Sequence, residues 1–286
     1  MPRVKKCQVR GVRHPPCRAN LRQRKRMSFP EITLLTLAAF AAGAMNAVAG
    51  GGTILTFPAL LLFGMPAIQA NATSTLALLI GILGSVFGYR RHIPSIRPLL
   101  PAFGIVSTGG GLIGALLLTC TSEIVFSSLV PYLLLFATLL FLANGAFRRF
   151  FRIHAVRTPA EIVAGKRVWI AAGFQFLVAI YGGYFGAGIG ILMLASLGIL
   201  GMQDIHQSNT LKTLLGALVN LVAAIYFILA GLIIWPQAMV MTLGATAGYF
   251  GGSSIAQKIP QPAVRAIAAS IGLGISALLF FRQLTQ

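Results

Sequence analysis

The chain has 286 residues, of which 57% are hydrophobic and only 9% charged, and its formal net charge is +19. One soluble core cannot bury that much apolar surface, so the composition excludes an ordinary soluble domain and indicates a polytopic membrane protein. Most Lys and Arg residues lie in a basic tail and in short loops between apolar segments. That distribution is typical of cytoplasmic segments under the positive-inside rule and argues against a nucleic-acid-binding surface.

Residues 1–27 form the tail, which holds ten of the 23 Lys and Arg residues. The tail has no apolar periodicity, and we expect it to be disordered and cytoplasmic. An alternative is that Met27 is the biological start, which mass spectrometry of the N-terminus would decide. Cys7, His14 and Cys17 lack the paired spacing of a zinc site, and three cysteines imply no disulfide framework.

The first membrane unit spans residues 28–147. Its first segment, 31–49, is long enough to cross a bilayer core of about 30 Å as a helix. Glycines follow, and then a segment, 54–64, that is too short to cross. These segments predict one crossing with a re-entrant half-helix, or a single discontinuous helix. Three more crossings complete the unit, and the basic residues after Tyr89 mark a cytoplasmic turn.

Residues 148–167 form a basic loop that we also place in the cytoplasm, so an even number of crossings separates it from the tail. The pattern begins again in the second unit, 168–286. When the chain is shifted on itself by 137 residues, eight of the 23 positions from 51 to 73 are identical. Roughly two or three identities are expected by chance in such Gly/Leu/Ala-rich sequence, so the match indicates an internal repeat.

The sequence therefore predicts an all-α polytopic membrane protein with about eight transmembrane helices in two parallel four-crossing repeats, each with a Gly-rich broken or re-entrant helix. Both termini are expected in the cytoplasm. Small residues also recur at helix-packing spacing, and we interpret them as helix contacts rather than ligand groups. They are Gly84 and Gly88, Gly110 and Gly114, and Gly244, Gly248 and Gly252.

Matching glycine-rich breaks in the two units are the best sequence pointer to a transport site near the middle of the bilayer. The breaks contain Gly50, Gly51 and Gly52 in the first unit and Gly186, Gly188 and Gly190 in the second. A broken helix exposes N–H groups at its positive dipole end, which suits an anion. Tight helix crossing explains any single glycine equally well, whereas the pairing of the breaks favours a site.

Polar residues accompany both breaks and extend the candidate substrate site. They are Asn46, Thr53, Asn71, Thr73, Ser74 and Thr75 in the first unit, and Asn209, Thr210, Lys212 and Asn220 in the second. Helix capping is an alternative explanation for Asn71. It does not explain Asn220, which shares a helix face with Asn209 and Lys212.

Lys212 is the strongest single candidate, because a lysine within a membrane span costs a few kcal/mol and is functional by default. The hypothesis is that its ammonium group supplies positive charge to an anionic substrate. The alternative is snorkelling of the side chain to the nearby outer interface.

Catalysis is poorly supported by this sequence. The chain has four acids, each at a segment end or in a loop, and no two are placed to share a reaction centre. The histidines show no spacing that would hold a metal. We therefore expect no enzymatic activity, no cofactor and no metal site.

Several motifs together resemble the TauE/SafE family of membrane transporters. They are NAVAGGGTILTFP at 46–58, GMP at 64–66, ANATST at 70–75, YGGYFGAGIG at 181–190, SNTLKTLL at 208–215 and GLIIW at 231–235. The resemblance covers the chain after about Met27. It implies an inner-membrane permease with about eight crossings, whose characterised relatives are linked to sulfite, sulfoacetate and other small organosulfur anions.

We therefore expect a secondary transporter that moves a small anion, sulfite or an organosulfonate, across the inner membrane by alternating access. Its partners would be the lipid bilayer, the solute and a second copy of the chain, with no nucleic acid. One alternative is a carrier of another small solute. Another is a non-transporting membrane scaffold or accessory subunit, in which the glycines only pack helices.

Overall fold

The computed structural model describes residues 27–48, 51–150, 165, 167–200, 202, 205–252 and 261–284, and every regular element in these ranges is helical. The tail, which was predicted to be disordered, and most of the predicted basic loop lie outside these described ranges. The helices are α1 Phe29–Val48, α2 Thr53–Leu62, α3 Ala67–Gly88, α4 Ile93–Ile96, α5 Leu100–Cys120, α6 Glu123–Phe150, α7 Arg167–Tyr184, α8 Ile189–Ile199, α9 Ile205–Leu229, α10 Trp235–Ala247 and α11 Gln261–Leu284. A π-helical turn, Gly248–Gly252, continues α10.

Five helical segments within the described ranges are long and apolar enough to cross a membrane. They are Phe29–Ala47, Ala67–Gly88, Arg90–Cys120, Glu123–Ala143 and His206–Leu229. Large apolar side chains such as Leu37, Ile105 and Leu177 point outward from the bundle and are more than half exposed. A bundle with this outer surface needs lipid around it, so the prediction of an all-α polytopic membrane protein is confirmed.

Contacts between neighbouring helices fix which helices begin at the same end of the bundle. The carboxylate of Glu123, at the start of α6, accepts hydrogen bonds from the first two N–H groups of α3. Gln237 in the first turn of α10 donates to Glu31 in the first turn of α1, at 3.1 Å. The N–H of Ile234 donates to Thr73 in α3, also at 3.1 Å. Helices α1, α3, α6 and α10 therefore begin at one end, which we call the Glu123 end.

The opposite end carries Arg90, Arg91 and Arg97 between α3 and α5, and we call it the basic end. There the ring of His92 stacks on His206 at the start of α9, with 5.4 Å between the ring centroids. Tyr184 ends α7 and Thr121 follows α5. Their hydroxyl groups lie 3.5 Å apart at the Glu123 end. Helices α5, α7 and α9 therefore begin at the basic end.

These directions correct the predicted topology. Helix α1 begins at the Glu123 end whereas α7 begins at the basic end, so the prediction of parallel repeats is wrong. The physical reason is that α2 returns beside α1, with Gly52 against Ala42, and leads into α3 at the end where α1 began. The α1–α2 pair therefore adds no net passage through the bundle, and the number of passages in the first unit is odd.

The described ends of the chain also differ from prediction. Helix α1 begins at the Glu123 end, and Gln283 near the end of α11 donates to the carbonyl oxygen of Ser128 in α6, at 3.1 Å. Both described ends therefore lie opposite the basic turn. The prediction that places them on the same side as that turn is wrong.

Helix α3 begins four residues before Asn71. Pro66 stands at its N-cap, and Glu123 receives its first N–H groups, so the helix begins at Ala67. Asn71 consequently lies in the second turn, where its side chain cannot cap the helix. The capping explanation for Asn71 is wrong.

Most of the small residues predicted to pack helices do so. Gly110 and Gly114 lie against the backbone of α7, Gly244 and Gly248 lie against the backbone of α1, and Gly84 lies against the ring of Phe250. A Cβ atom at any of these positions would meet an atom closer than ordinary van der Waals contact. Gly88 instead faces open space, so its predicted packing role is wrong. The surroundings of Gly252 lie outside what the structure describes.

Replacing Gly114 with alanine is expected to destabilise the protein by about 1–3 kcal/mol, because the new methyl group would overlap the carbonyl oxygen of Ile180. Gly173 is the matched control, because it lies inside α7 with no atom within 4 Å of a new Cβ. Gly173→Ala should be neutral or stabilising by up to about 1 kcal/mol through helix propensity. Unfolding in mixed detergent micelles measures both, and equal changes would contradict this packing.

Candidate functional site

Two chain reversals within the bundle define the site. After α1 the chain turns through Gly51, whose φ is +96°, and after α7 it turns through Gly186 and Gly188, whose φ values are +79° and +75°. L-residues with side chains rarely adopt these angles, so glycine is needed at such turns. Helices α2 and α8, of 10 and 11 residues, begin directly after the turns and are about 15 Å long.

A cavity of about 70 Å³ lies where the starts of α2 and α8 approach each other. Thr53 and Gly51 line it from the first reversal, and Gly186, Ile189 and Gly190 line it from the second. The other lining residues come from α1, α3, α8, α9 and the π turn: Asn46, Ala47, Leu78, Ile82, Ser85, Tyr89, Met193, Lys212, Thr213, Gly216, Asn220 and Tyr249. A space of this size and polarity holds several water molecules.

The polar face of α9 forms one wall of the cavity. Lys212, Thr213, Gly216 and Asn220 all line it, as expected for residues three or four apart on one helix. The side-chain nitrogen of Asn220 donates to the carbonyl oxygen of Gly216 at 2.8 Å, which leaves its amide oxygen as the unused acceptor. Lys212 is the only formally charged side chain among the described lining residues.

Lys212 lies near the basic end, since α9 begins there, and not near the Glu123 end. The sequence-based alternative, snorkelling to the outer interface, assumed the opposite direction for this helix. Snorkelling to the interface at the basic end, where His206 stacks on His92, stays an alternative for this side chain.

Asn46 organises the first reversal. Its side-chain oxygen accepts the N–H of Gly52 at 2.8 Å, across the turn between α1 and α2. A Cβ on Gly52 would lie 2.7 Å from the carbonyl oxygen of Ala42 and 2.9 Å from the Asn46 amide nitrogen. Gly52 therefore stands beside the cavity and keeps α2 close to α1 without lining the cavity itself.

Several predicted site residues do not line this cavity and bond elsewhere. Three of them bond to other parts of the bundle: Asn71 donates to the carbonyl oxygen of Tyr184, Thr73 accepts the N–H of Ile234, and Ser74 shares a hydrogen bond with Thr56. Two bond within their own helices: Thr75 donates to the carbonyl oxygen of Asn71, and Thr210 donates to the carbonyl oxygen of His206. Gly188 packs near Ala137 of α6. Asn209 is partly buried outside the lining set, and Gly50 lies outside the described residues.

Sequence reasoning missed Ser85, Tyr89 and Tyr249 in the cavity wall. Ser85 and Tyr89 stand in and just after the last turn of α3, where a hydroxyl residue near the basic turn carries no distinctive signal. Tyr249 lies among glycines that indicated only helix packing. A signal was available, because a tyrosine between Gly248 and Gly251 is an unusual polar residue in a close helix contact.

The cavity reaches the basic end and is closed toward the Glu123 end. Tyr89, next to Arg90, marks its mouth at the basic end. Toward the other end, the buried ring of Phe185 contacts two further buried rings edge to face, with centroid distances of 5.3 Å to Phe57 and 6.4 Å to Phe126. The Asn71–Tyr184 hydrogen bond, at 3.0 Å, joins the two units in this closed region.

The lining chemistry favours a negatively charged occupant. Lys212 and the hydroxyl groups of Thr53, Ser85, Tyr89, Thr213 and Tyr249 all offer hydrogen-bond donors, and no acidic residue is among the described lining residues. Within the described ranges, no group of three or more His, Cys, Asp or Glu residues could hold a metal ion.

Comparisons with known proteins relate the chain to membrane transporter proteins. The chain matches the family described as sulfite exporter TauE/SafE over residues 35–279. A probable membrane transporter protein of a Sinorhizobium species is 28% identical over 260 residues, covering 88% of this chain and 94% of the relative. A probable membrane transporter protein of Haemophilus influenzae is 27% identical over 254 residues, covering 88% and 95%. The probable membrane transporter protein YfcA of Escherichia coli K12 is 29% identical over 254 residues, covering 87% and 89%.

No solved structure matches this chain. A helical bundle with lipid-facing sides and a polar cavity among broken helices is that of a membrane transporter. The chain belongs to the TauE/SafE family. The resemblance of its sequence motifs to that family is confirmed.

Proposed function

We propose that this protein is a secondary transporter of a small anion, sulfite or a small organosulfonate, in the cell inner membrane. The observation that carries the proposal is the cavity in which Lys212 stands with the starts of α2 and α8. Helix starts carry a partial positive charge, so two of them together with an ammonium group favour an anion. The cavity volume of about 70 Å³ suits an oxyanion better than a solute with a long organic chain.

The proposed substrate contacts are the predicted residues that line the cavity or support its wall. They are Asn46, Gly51, Gly52, Thr53, Gly186, Gly190, Lys212 and Asn220. Asn71, Thr73 and Ser74 are proposed to act on the closed region instead, because their hydrogen bonds join α3 to α2, to Tyr184 and to Ile234. Thr75 bonds within α3 and is proposed to support that helix.

Alternating access is proposed as the mechanism. The described conformation has a cavity that reaches the basic end and an aromatic seal toward the Glu123 end. Transport requires a second conformation in which the Phe57–Phe126–Phe185 contacts separate and the basic end closes. In the two conformations the same substrate site is open to opposite faces of the membrane, so the substrate itself moves only a short distance.

We propose that the two units are inverted repeats, each with one re-entrant hairpin, and equivalent contacts support this. Gly110 meets Phe176 and Ala179 in α7, and Gly244 meets Thr36 and Ala39 in α1. Gly114 meets Ile180, and Gly248 meets Phe40. The left-handed glycines Gly51 and Gly188 are separated by the same 137 residues as the sequence repeat. Duplicated packing with opposite helix directions is typical of inverted-topology transporters.

The basic end is proposed to face the cytoplasm. Among described residues, seven arginines lie at helix ends or turns on that side: Arg90, Arg91, Arg97, Arg148, Arg149, Arg167 and Arg265. Arg282 is the described basic residue at the Glu123 end, and the basic residues of the tail lie outside the described ranges. The positive-inside rule counts such short turns. Exposed Trp169 and Trp235, near opposite ends of the bundle, mark the two interfaces.

Topology reporters test this orientation. Alkaline phosphatase fused after Leu284 is expected to be active, because the α11 end lies at the Glu123 end, outside the cytoplasm. A fusion after Phe147 in α6 is the matched control and should be inactive. The opposite pattern would show that the Glu123 end is cytoplasmic.

Flux of labelled sulfite into proteoliposomes tests the function itself. The expected result is saturable uptake that unlabelled sulfite or sulfoacetate reduces. Saturable uptake of another solute with no competition by these anions would favour a carrier of that solute. No flux of any tested solute by folded protein would favour a scaffold or accessory subunit.

A further inference from the structure

The inference concerns Tyr249, which the sequence did not single out. Tyr249 lies in the π turn after α10, lines the cavity and is 6% exposed. A π turn inserts an extra residue into a helix, which changes the direction of the neighbouring side chains and often occurs at functional sites. Here the turn directs a tyrosine into a space that otherwise contains Lys212 and short hydroxyl residues.

The ring of Tyr249 is fixed by its neighbours. It lies so close to Gly81 of α3 that a Cβ at Gly81 would overlap the ring. On the other side, the Tyr249 backbone nitrogen lies 3.0 Å from the position of a Cβ on Gly43 of α1. Two glycines on different helices therefore leave space for the ring and the backbone of this one aromatic residue.

Asn46 and Tyr249 both line the cavity. The amide oxygen of Asn46 accepts the Gly52 N–H at 2.8 Å, so this side chain holds the reversal after α1 in place. A phenol hydroxyl group can donate its proton to an anion. Tyr249 therefore adds a hydrogen-bond donor to the cavity wall.

We propose that the Tyr249 hydroxyl group donates a hydrogen bond to the bound oxyanion and acts with Lys212 in recognising it. This inference rests on the proposed function and identifies a contact that no sequence motif indicated.

Tyr249→Phe tests the proposal, since it removes the hydroxyl and keeps the ring. Binding of sulfite to the purified full-length protein is measured by its concentration-dependent thermal shift. A hydrogen bond to a charged group accounts for about a ten- to hundredfold change in affinity, so Kd should rise by that factor. Tyr226→Phe is the matched control, because its hydroxyl bonds Thr119 at 3.2 Å outside the cavity. That variant should keep the wild-type Kd.

The outcomes separate this inference from the proposed function. If the wild type binds sulfite and Tyr249→Phe changes Kd by less than about twofold, the Tyr249 contact is refuted while the anion site stands. If the wild type binds none of sulfite, sulfate and methanesulfonate, the proposed function itself is refuted. Should Tyr249→Phe not fold, 3-fluorotyrosine placed at position 249 replaces it. Its ¹⁹F resonance must shift on saturation with sulfite, and an unchanged resonance would refute the contact.

Discussion

Replacing Lys212 with methionine is expected to lower kcat/KM for sulfite uptake by at least about a hundredfold. The ammonium group is the one formal positive charge in the described cavity wall. A charge-assisted contact contributes about 1.5–3 kcal/mol, and more where water is excluded. Methionine keeps most of the side-chain length and volume, so the loss should reflect charge and not packing.

The folded state should survive this substitution. Methionine keeps the apolar stem of lysine and a similar helix propensity, so the packing of α9 should be maintained. Lys212→Arg should retain part of the activity, because it keeps the charge but places it on a larger planar group. Arg91→Gln is the control, since Arg91 is exposed at the basic end and does not line the cavity. Sulfite uptake by proteoliposomes measures all three, and wild-type kinetics for Lys212→Met would remove Lys212 from the mechanism.

Lys212 could be chosen as a candidate site residue from the sequence alone, because an energetic argument applies to it. A cation within an apolar span is costly wherever it lies along the membrane, so its presence requires a reason. The glycine breaks were predictable for a similar reason, since their spacing repeats in both units and their positive φ angles require glycine. In both cases the signal depends on residue type and spacing, and not on the direction of the helices.

Helix direction was not predictable from the same information. Helix α1 has 20 residues, which is enough to cross a bilayer once, and nothing in its composition distinguishes a crossing from one arm of a hairpin. The deciding fact is that α2 returns beside α1, which depends on the contact of Gly52 with Ala42 and Asn46. If the α1–α2 pair is counted as one crossing, every later helix is assigned the opposite direction through the membrane.

The polar residues after the first break illustrate a second limit. Thr75 and Ser74 were predicted as site residues because they belong to the polar run that accompanies the first glycine break. Thr75 finds one in the carbonyl oxygen of Asn71, four residues earlier in its own helix, and Ser74 finds Thr56 on α2. A hydroxyl group in a helix can therefore be satisfied locally or by a neighbour, and only the packed structure distinguishes these cases from a ligand contact.

Phe185→Ala should open the site toward the Glu123 end. The Phe185 side chain is 1% exposed and contacts both Phe57 and Phe126 at the closed end of the cavity. Truncating a buried Phe to Ala costs about 3–5 kcal/mol. If these contacts exist only in the described conformation, the ratio of the two states changes by at least about a hundredfold.

Cysteine labelling measures the change, in a background without the three natural cysteines and with Thr53→Cys in the cavity wall. A membrane-impermeant maleimide should reach this cysteine from the basic-end face in the wild-type sequence and from the Glu123-end face in Phe185→Ala. Phe103→Ala is the matched control, because Phe103 is fully buried in the apolar cluster of α5, α7, α8 and α9 at the basic end. That control loses a ring of the same size without weakening the seal, so its labelling should stay on the basic-end face. Labelling from the basic-end face alone in Phe185→Ala would mean that the three rings are structural packing and that the gate lies elsewhere.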